Sequence, residues 1–283
     1  MSSRGRPKTV QIFLPNGNAR GVRIAEITSR TVQAVQIPRS TLSAAKSRGE
    51  VQRVGVYFLF GAPDEDTGKP VAYVGEAENC FERIAEHHRS KDFWKTAVVV
   101  TSKTMSFTKG HARYLEYDCL RAAEEAGRYR LKNTQTPAEP HIPEPMQAEL
   151  RDNFGTIRTL LSMLGVPILD PLSNTNQRRL LKCSGRGAEA TGEYTEEGLV
   201  VFEGSITSDD IAPSARDTVQ RRRQRLIEDG VLVRREDGHL RFTENHAFNS
   251  PSGAAVILQG MHVNGWEAWT DQQGRTLDEL ERQ

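Results

Sequence analysis

Two apolar runs joined by a short charged turn constrain the fold of this chain more than any other feature. Residues 51–61 read V-Q-R-V-G-V-Y-F-L-F-G, residues 70–75 read P-V-A-Y-V-G, and the turn D-E-D-T-G-K lies between them. A parallel pair of strands needs a crossover of a dozen or more residues. We therefore predict that these two strands pair in an antiparallel manner, and each of them carries one tyrosine, Tyr57 and Tyr73.

Helical patterns follow the second strand. Phe81, Ile84 and Ala85 recur at helical spacing, a strand is predicted over 96–101, and a longer amphipathic helix over about 109–126. Four prolines between residues 133 and 145 exclude a regular element there. A further amphipathic helix over about 146–164 completes an α+β unit, which we assign to residues 51–170.

The amino-terminal residues 1–50 are basic and rich in β-favouring runs. They contain nine Lys and Arg residues against two acidic residues, and Asn-Gly between apolar runs over 10–38 predicts a β-meander. A short helix is predicted over 40–48. The charge fits contacts to a polyanion, and it fits a solvated surface equally well.

Residues 180–283 are predicted to form a small separate α+β module, after a linker at 171–179. The predicted elements are a strand over 197–203, a helix over 214–229, a hairpin over 231–243 and a helix that starts at Ser250. The helix carries a basic run that offers phosphate contacts or a solvated face: Arg221, Arg222, Arg223 and Arg225.

Composition argues against a membrane or secreted protein. No apolar run is long enough to cross a bilayer, and the first residues, M-S-S-R-G-R-P-K, lack the apolar stretch of a signal peptide. Three widely spaced cysteines are typical of free thiols in a reducing compartment. We therefore expect a cytoplasmic protein, and no oligomeric state follows from the sequence.

Spacing alone indicates one candidate anion site. Arg83 and His87 lie four residues apart and so share a helix face, close behind the two tyrosine strands. Arginine offers a fork of donors to phosphate oxygens, and histidine exchanges protons near neutral pH. An Arg/His pair is more often plain surface, and Glu116, taken singly, is more often a solvated carboxylate.

The order of these residues resembles a known family. G-V-Y at 55–57 and Y-V-G at 73–75 are similar to the paired signatures of the GIY-YIG endonuclease superfamily, and Arg83 and His87, Glu116 and Asn133 follow in the family's order. The resemblance implies a three-stranded antiparallel sheet flanked by helices that hydrolyses phosphodiester bonds with one divalent metal, Mg²⁺ or Mn²⁺.

The resemblance also implies a role for each residue. Glu116 would hold the metal, and Tyr57 would be the general base, with its hydroxyl exposed and its pKa lowered by the cations Arg83 and His87 and by the metal. Arg83 would also stabilise developing negative charge. His87 would orient or deprotonate Tyr57, and His88 is the alternative to His87.

Two further members complete the expected site. Tyr73 would position water or phosphate beside Tyr57, and Asn133 would fix the geometry of the site. A second basic residue found in some family members has only imperfect counterparts, Lys91 and Lys95.

The carboxy-terminal module has a resemblance of its own. S-P-S-G-A-A at 250–255 and N-G-W at 264–266 resemble a domain of unknown function that is fused to such nucleases, and also the RAMA modules that are proposed to read DNA. Trp266 and Trp269 fit stacking on a base, although a core position is the more common role for such a pair.

These observations together favour a metal-dependent DNA endonuclease whose carboxy-terminal module holds or selects the substrate. The alternatives are a non-catalytic nucleic-acid-binding protein, and a nuclease that acts on RNA or on modified DNA in phage defence. The catalytic residues contact backbone phosphates, so they carry no information about base sequence.

Overall fold

The computed structural model describes residues 7–63, 69–135, 137–172, 180–195 and 198–282. Contacts divide the chain into two compact units, one comprising residues 1–62 and 70–170 and the other residues 63–69 and 171–283. Most of the predicted turn at 64–69 and of the predicted linker at 171–179 lies outside the described residues. Among the described helices, none is both long and apolar enough to cross a membrane.

The first unit is built on a sheet of seven strands in the order β1-β2-β3-β6-β4-β5-β7. The strands are β1 (Val10–Phe13), β2 (Arg23–Ile27), β3 (Val32–Pro38), β4 (Gly55–Pro63), β5 (Pro70–Ala77), β6 (Trp94–Ser102) and β7 (Arg130–Leu131). The pair β4–β6 is antiparallel, and β5 and β7 are parallel. The two tyrosine strands are neighbours, as expected from the short turn between them.

The predicted three-stranded sheet is therefore only part of a larger one. The amino-terminal meander does not form a layer of its own, because β3 pairs with β6 along its whole length, from Val32 opposite Ser102 to Pro38 opposite Thr96. Nearly every side chain of β3 is buried, which is typical of an interior strand. The prediction of strands in this region is confirmed, and the expected count of three strands in the sheet is wrong.

Helices cover both faces of this sheet. They are α1 (Leu42–Ala45), α2 (Cys80–Ser90), α3 (Lys109–Ala126) and α4 (Glu144–Met163). Apolar side chains of α3 and α4 pack against Val56, Phe58 and Val74 on one face. Side chains of α1 and α2 pack with Tyr57, Leu59 and other residues on the opposite face.

Local signals explain where the helices that carry the candidate site begin and end. Asn79 accepts a hydrogen bond from the backbone of Glu82 and so caps α2. Thr108 and His111 form a capping box at the start of α3, and Gly127 ends that helix in the left-handed conformation, with φ of 63°. The predicted bounds of α3 are thus confirmed to the residue.

The second unit has a five-stranded sheet in the order β13-β10-β9-β8-β14 and a separate hairpin, β11–β12. The strands are β8 (Leu181–Gly185), β9 (Ala188–Thr195), β10 (Gly198–Val201), β11 (Leu232–Arg234), β12 (Leu240–Phe242), β13 (His246–Phe248) and β14 (Trp269–Thr270). The helices are α5 (Arg216–Glu228), α6 (Pro251–Gln259), α7 (Gly265–Ala268) and α8 (Leu277–Glu281). The sequence reading missed the hairpin of β8 and β9, whose polar residues, such as Lys182 and Glu189, dilute the apolar pattern.

Candidate active site

Tyr57 lies in the interior of the first unit, not at its surface. The side chain is 1% exposed, and its hydroxyl lies 2.8 Å from Nε2 of His87. The Arg83 guanidinium, half exposed and ion-paired with Glu86 at 2.6 Å, lies near enough for its charge to lower the pKa of this phenol. Because β4 turns Tyr57 towards the face that α2 covers, one turn of α2 brings both partners to the phenol. The expectation of an exposed hydroxyl is wrong for Tyr57.

Glycine is required at two positions beside this tyrosine. A Cβ atom on Gly75 would lie 2.4 Å from the Tyr57 hydroxyl, and one on Gly55 would lie 2.2 Å from the backbone oxygen of Val100. Both distances are far below van der Waals contact. The outer glycines of G-V-Y and Y-V-G are therefore explained by close approach within the sheet, and Gly75 specifically makes room for the phenol.

The pKa values in this cluster run against the expected activation of Tyr57. Burial, and next the neighbouring Tyr73, raise the pKa of Tyr57 well above its usual range, and Arg83 offsets only part of this. Burial, followed by the positive charges of Lys91 and Arg83, lowers the pKa of His87 to about 4. His87 is therefore neutral at pH 7, and the prediction that it acts as a cation on Tyr57 is wrong.

His88, the alternative to His87, belongs to a different cluster. Its Nδ1 accepts a hydrogen bond of 3.1 Å from Nε of Arg39. The same guanidinium lies 4.9 Å from the ring centre of Trp94 and donates to backbone oxygens at the end of α2. The structure thus assigns the contact with Tyr57 to His87.

Tyr73 lines the same face as Tyr57 and is only partly buried. Its ring centre lies 6.2 Å from that of Tyr57 and 5.3 Å from that of His87. Nζ of Lys91 lies 4.2 Å from the centre of the Tyr73 ring, which is cation–π contact. Lys91 is therefore the basic residue beside this cluster, while Lys95 is an exposed residue of β6.

Glu116 is paired with a second carboxylate, Glu76. Burial, then the Glu76 charge, raises the pKa of Glu116 to about 7. Oε2 of Glu76 is buried and has no hydrogen-bond partner, and Oε1 lies 3.7 Å from Nε of Arg113. One partly exposed arginine thus faces two carboxylates, a set that favours binding of a further cation.

The predicted residues form two clusters and not one. Gly75 faces Tyr57 on the α2 side of β5, whereas Glu76 meets Glu116 on α3, which covers the other side. Consecutive residues of a strand point to opposite faces, so β5 separates the clusters by the thickness of the sheet. A substrate that contacts both must reach around the end of β5 at Ala77.

Asn133 holds β5 in place. Its Oδ1 accepts a hydrogen bond of 3.1 Å from the backbone N–H of Val74, and its Nδ2 donates one of 2.8 Å to the Val74 oxygen. The amide thereby continues the pairing that β7 makes with Val71 and Ala72. These bonds give Asn133 a positioning role, and it fixes the segment of β5 between Tyr73 and Gly75.

The sequence reading missed Glu76 altogether. The one available signal was a carboxylate directly after Y-V-G, at the end of a predicted strand. Alternation along β5 places it on the face of α3 and not with the tyrosines, and only the packing of α3 shows that Glu116 lies beside it. A single acidic residue at a strand end carries too little information to be selected from sequence.

The basic run of α5 contains side chains in quite different settings. Arg223 is 5% exposed, and its guanidinium donates to backbone oxygens of Ser208 and Ile257. Arg225 forms ion pairs with Glu228 and Asp229 on its own helix. Arg223 is thus a structural residue, and the prediction that it contacts nucleic acid directly is wrong.

The two tryptophans of the second unit anchor its core. Trp269 is fully buried, and its indole N–H donates to the backbone oxygen of Pro251. Trp266 is partly buried, with its ring 3.6 Å from the guanidinium carbon of Arg282 and edge-on to Tyr194. The more common interpretation of the pair, packing, is confirmed by these contacts.

Comparison with known proteins assigns a family to the second unit only. Residues 181–281 match a protein family described as "Domain of unknown function (DUF4357)". The predicted resemblance of this module to a domain of unknown function is confirmed. No curated protein and no solved structure matches the chain significantly.

Proposed function

We propose that the first unit is a divalent-metal-dependent endonuclease that hydrolyses phosphodiester bonds of DNA, and that the second unit holds or selects the substrate. The observation that supports this most strongly is that two consecutive residues of β5, Gly75 and Glu76, face two chemically distinct clusters on opposite sides of the sheet. On one side lie Tyr57, Arg83 and His87, and on the other the carboxylates of Glu76 and Glu116.

The carboxylate pair supports a metal in this proposal. Glu116 and Glu76 would hold Mg²⁺ or Mn²⁺, hard cations that take oxygen ligands and complete their shell with water and substrate phosphate. When bound, the metal stabilises negative charge on the scissile phosphate.

The tyrosine cluster supplies a path for a proton. The Tyr57 hydroxyl lies 2.8 Å from Nε2 of His87, and with the proton of the neutral imidazole on Nδ1 the phenol directs its hydrogen to that nitrogen. Because burial and the charges of Lys91 and Arg83 lower the pKa of His87 to about 4, the negative charge of the bound phosphate must stabilise the imidazolium that forms when this proton is passed on. In the proposed reaction the Tyr57–His87 pair, and not Tyr57 alone, takes the proton of the attacking water, while Arg83 faces the phosphate.

The burial of Tyr57 favours a second function. A general base must reach the attacking water, whereas the Tyr57 side chain is 1% exposed and its pKa is raised. A non-catalytic nucleic-acid-binding protein needs no such access, and in it the same contacts would simply stabilise the fold. Cleavage assays decide between the two functions.

The test is a panel of single-stranded, double-stranded and modified DNA together with RNA, incubated with Mg²⁺ or Mn²⁺. We expect cleavage by the wild type and a loss of about 10²-fold or more in Arg83→Gln and Glu116→Gln. The matched controls, Arg89→Gln on α2 and Glu125→Gln on α3, should retain activity because both side chains are exposed and lie outside the clusters. Identical product traces for the wild type and Glu116→Gln would reject the enzyme, and binding without products would favour the second function.

The two tyrosines should respond unequally. Tyr57→Phe should nearly abolish cleavage, since it removes the hydroxyl that His87 contacts, whereas Tyr73→Phe should only weaken it. Tyr114→Phe is the control for loss of a buried phenol, because Tyr114 is 2% exposed and lies on α3. Circular dichroism should show that all three variants remain folded.

A further inference from the structure

A cleft of about 560 Å³ opens in the second unit between α5 and the β11–β12 hairpin. Gln220 and Gln224 line it from α5, Arg234 from the hairpin, and Asp209 from the segment before the helix. Its volume lies within the range of small-molecule sites in proteins, about 300–1,000 Å³. All of its lining residues lie within the second unit.

The charges in this cleft favour an anion. Arg223 and Arg234 place two positive charges in its wall against a single acid, Asp209. Arg223 is buried, and the partners of its guanidinium are backbone oxygens, which carry no net charge. Burial lowers the pKa of Arg223 to about 10, so it remains charged at pH 7 and places a fixed positive charge in the wall.

The remaining lining residues fit a planar polar group beside that anion. Gln220 and Gln224 lie one helical turn apart and line the same wall, where Nε2 of Gln224 also donates a hydrogen bond of 3.4 Å to Glu228. An amide offers a donor and an acceptor together, as the edge of a nucleobase does. Ile211, Ile227 and Leu240 supply apolar surface on which a base can pack.

We propose that this cleft binds a nucleotide, with the phosphate at Arg234, near the buried charge of Arg223, and the base edge at Gln220 and Gln224. The inference goes beyond the proposed function, because it holds whether or not the first unit cleaves nucleic acid. An acidic peptide would pair with the arginine charge but would make no specific contact with the glutamine amides or with the apolar wall.

The experiment is calorimetric titration of the full chain with each nucleoside monophosphate, with unphosphorylated nucleosides, with inorganic phosphate, with an aspartate-rich peptide and with a short single-stranded oligonucleotide. Metal ions are omitted, so that no cleavage takes place. We expect a nucleoside monophosphate to bind more tightly than either the nucleoside or phosphate alone. A free nucleotide and a nucleotide within a strand are distinguished by whether the monophosphate or the oligonucleotide binds more tightly.

The variant Arg234→Gln should weaken nucleotide binding about tenfold, since it removes a charge-assisted contact to phosphate. Arg235→Gln is the control, because Arg235 is the next residue of the hairpin, is exposed and does not line the cleft. Gln220→Leu should weaken binding of the nucleoside monophosphate but leave binding of inorganic phosphate unchanged. Gln272 is an exposed glutamine elsewhere in the unit, and Gln272→Leu should change neither affinity. Arg223 is not substituted, because its hydrogen bonds stabilise the fold.

Three results would overturn the inference. The first is the absence of binding by every nucleotide and by the oligonucleotide. The second is equal affinity of the wild type and Arg234→Gln for the ligand that binds. The third is binding of phosphate or of the acidic peptide as tightly as the nucleoside monophosphate.

Discussion

His87 holds a neutral imidazole in the interior of the first unit, and this makes its contribution to stability dependent on pH. It is 5% exposed, and its pKa falls from 6.5 to about 4, chiefly through burial and then through the charges of Lys91 and Arg83, with Glu86 acting in the opposite direction. Between pH 6.5 and pH 4, His87 is protonated in the unfolded chain and stays neutral in the folded chain. The contribution of His87 to the free energy of unfolding is therefore full above pH 6.5 and is lost as the pH falls towards 4.

The expected magnitude follows from the size of the shift. Between pH 8 and pH 5, the difference in proton uptake lowers the free energy of unfolding by about 2 kcal/mol. Glu116 acts in the opposite sense, because its pKa is raised to about 7, so the folded chain gains a proton over much of the same range. The pH dependence of the wild type alone is therefore uninformative, and the comparison must be made with His87→Gln.

We expect His87→Gln to retain its stability at pH 5, relative to pH 8, better than the wild type by about 2 kcal/mol. Glutamine does not titrate and can still bond the Tyr57 hydroxyl. Because the chain has two units, unfolding of the first is followed by hydrogen exchange of peptides from α2 and β4 in increasing urea. The imidazole itself is titrated by NMR.

Two results would refute this reasoning. One is an NMR titration of His87 at or above pH 6.5, which would mean that the imidazole is accessible to water. The other is parallel pH dependence of unfolding in the wild type and His87→Gln.

Three further predictions concern stability. Gly75→Ala should destabilise the first unit by about 1–3 kcal/mol in the same urea experiment, because the added Cβ would lie 2.4 Å from the Tyr57 hydroxyl. The control is Gly155→Ala within α4, which should be neutral or stabilising because the space around Gly155 is open. Asn133→Ala should cost about 1–3 kcal/mol through loss of two hydrogen bonds to the β5 backbone, seen as faster hydrogen exchange in β5 peptides. Trp269→Phe should lower the thermal midpoint of the second unit, since the fully buried indole loses both volume and a hydrogen bond, and an unchanged midpoint in calorimetry would contradict the packing described.

Much of the local structure of both units was predictable because its signals are local. The bounds of α3 follow from an apolar stripe that ends at Gly127, and the start of α6 follows from Ser250 with a proline after it. The hairpin of β8 and β9 was missed because its alternation is weak and its polar residues are many. Which side chains of a strand are buried depends on the helices and strands that cover each face, and the local sequence does not indicate which elements those are.

The candidate site was predictable as a set of residues but not as an arrangement. The order of Tyr57, Arg83, His87 and Glu116 along the chain pointed to phosphodiester chemistry through a family resemblance, which remains a prediction. The spacing of Arg83 and His87 did place both on one face of α2, beside Tyr57. Glu76 and the separation of the carboxylates from the tyrosines lie beyond what spacing alone can give.

The sequence by itself determined most elements of the first unit: strands where β-branched residues and glycines recur, helices where apolar residues repeat every three to four positions, and caps where single polar residues precede them. Only the tertiary structure decided which side of β5 each functional group occupies. The reason is that faces of a strand alternate with every residue, whereas the helix that covers a face is set by long-range packing. Burial of Tyr57 and His87, and the proximity of Glu76 to Glu116, follow from that packing, and with them the pKa values on which any chemistry of this site depends.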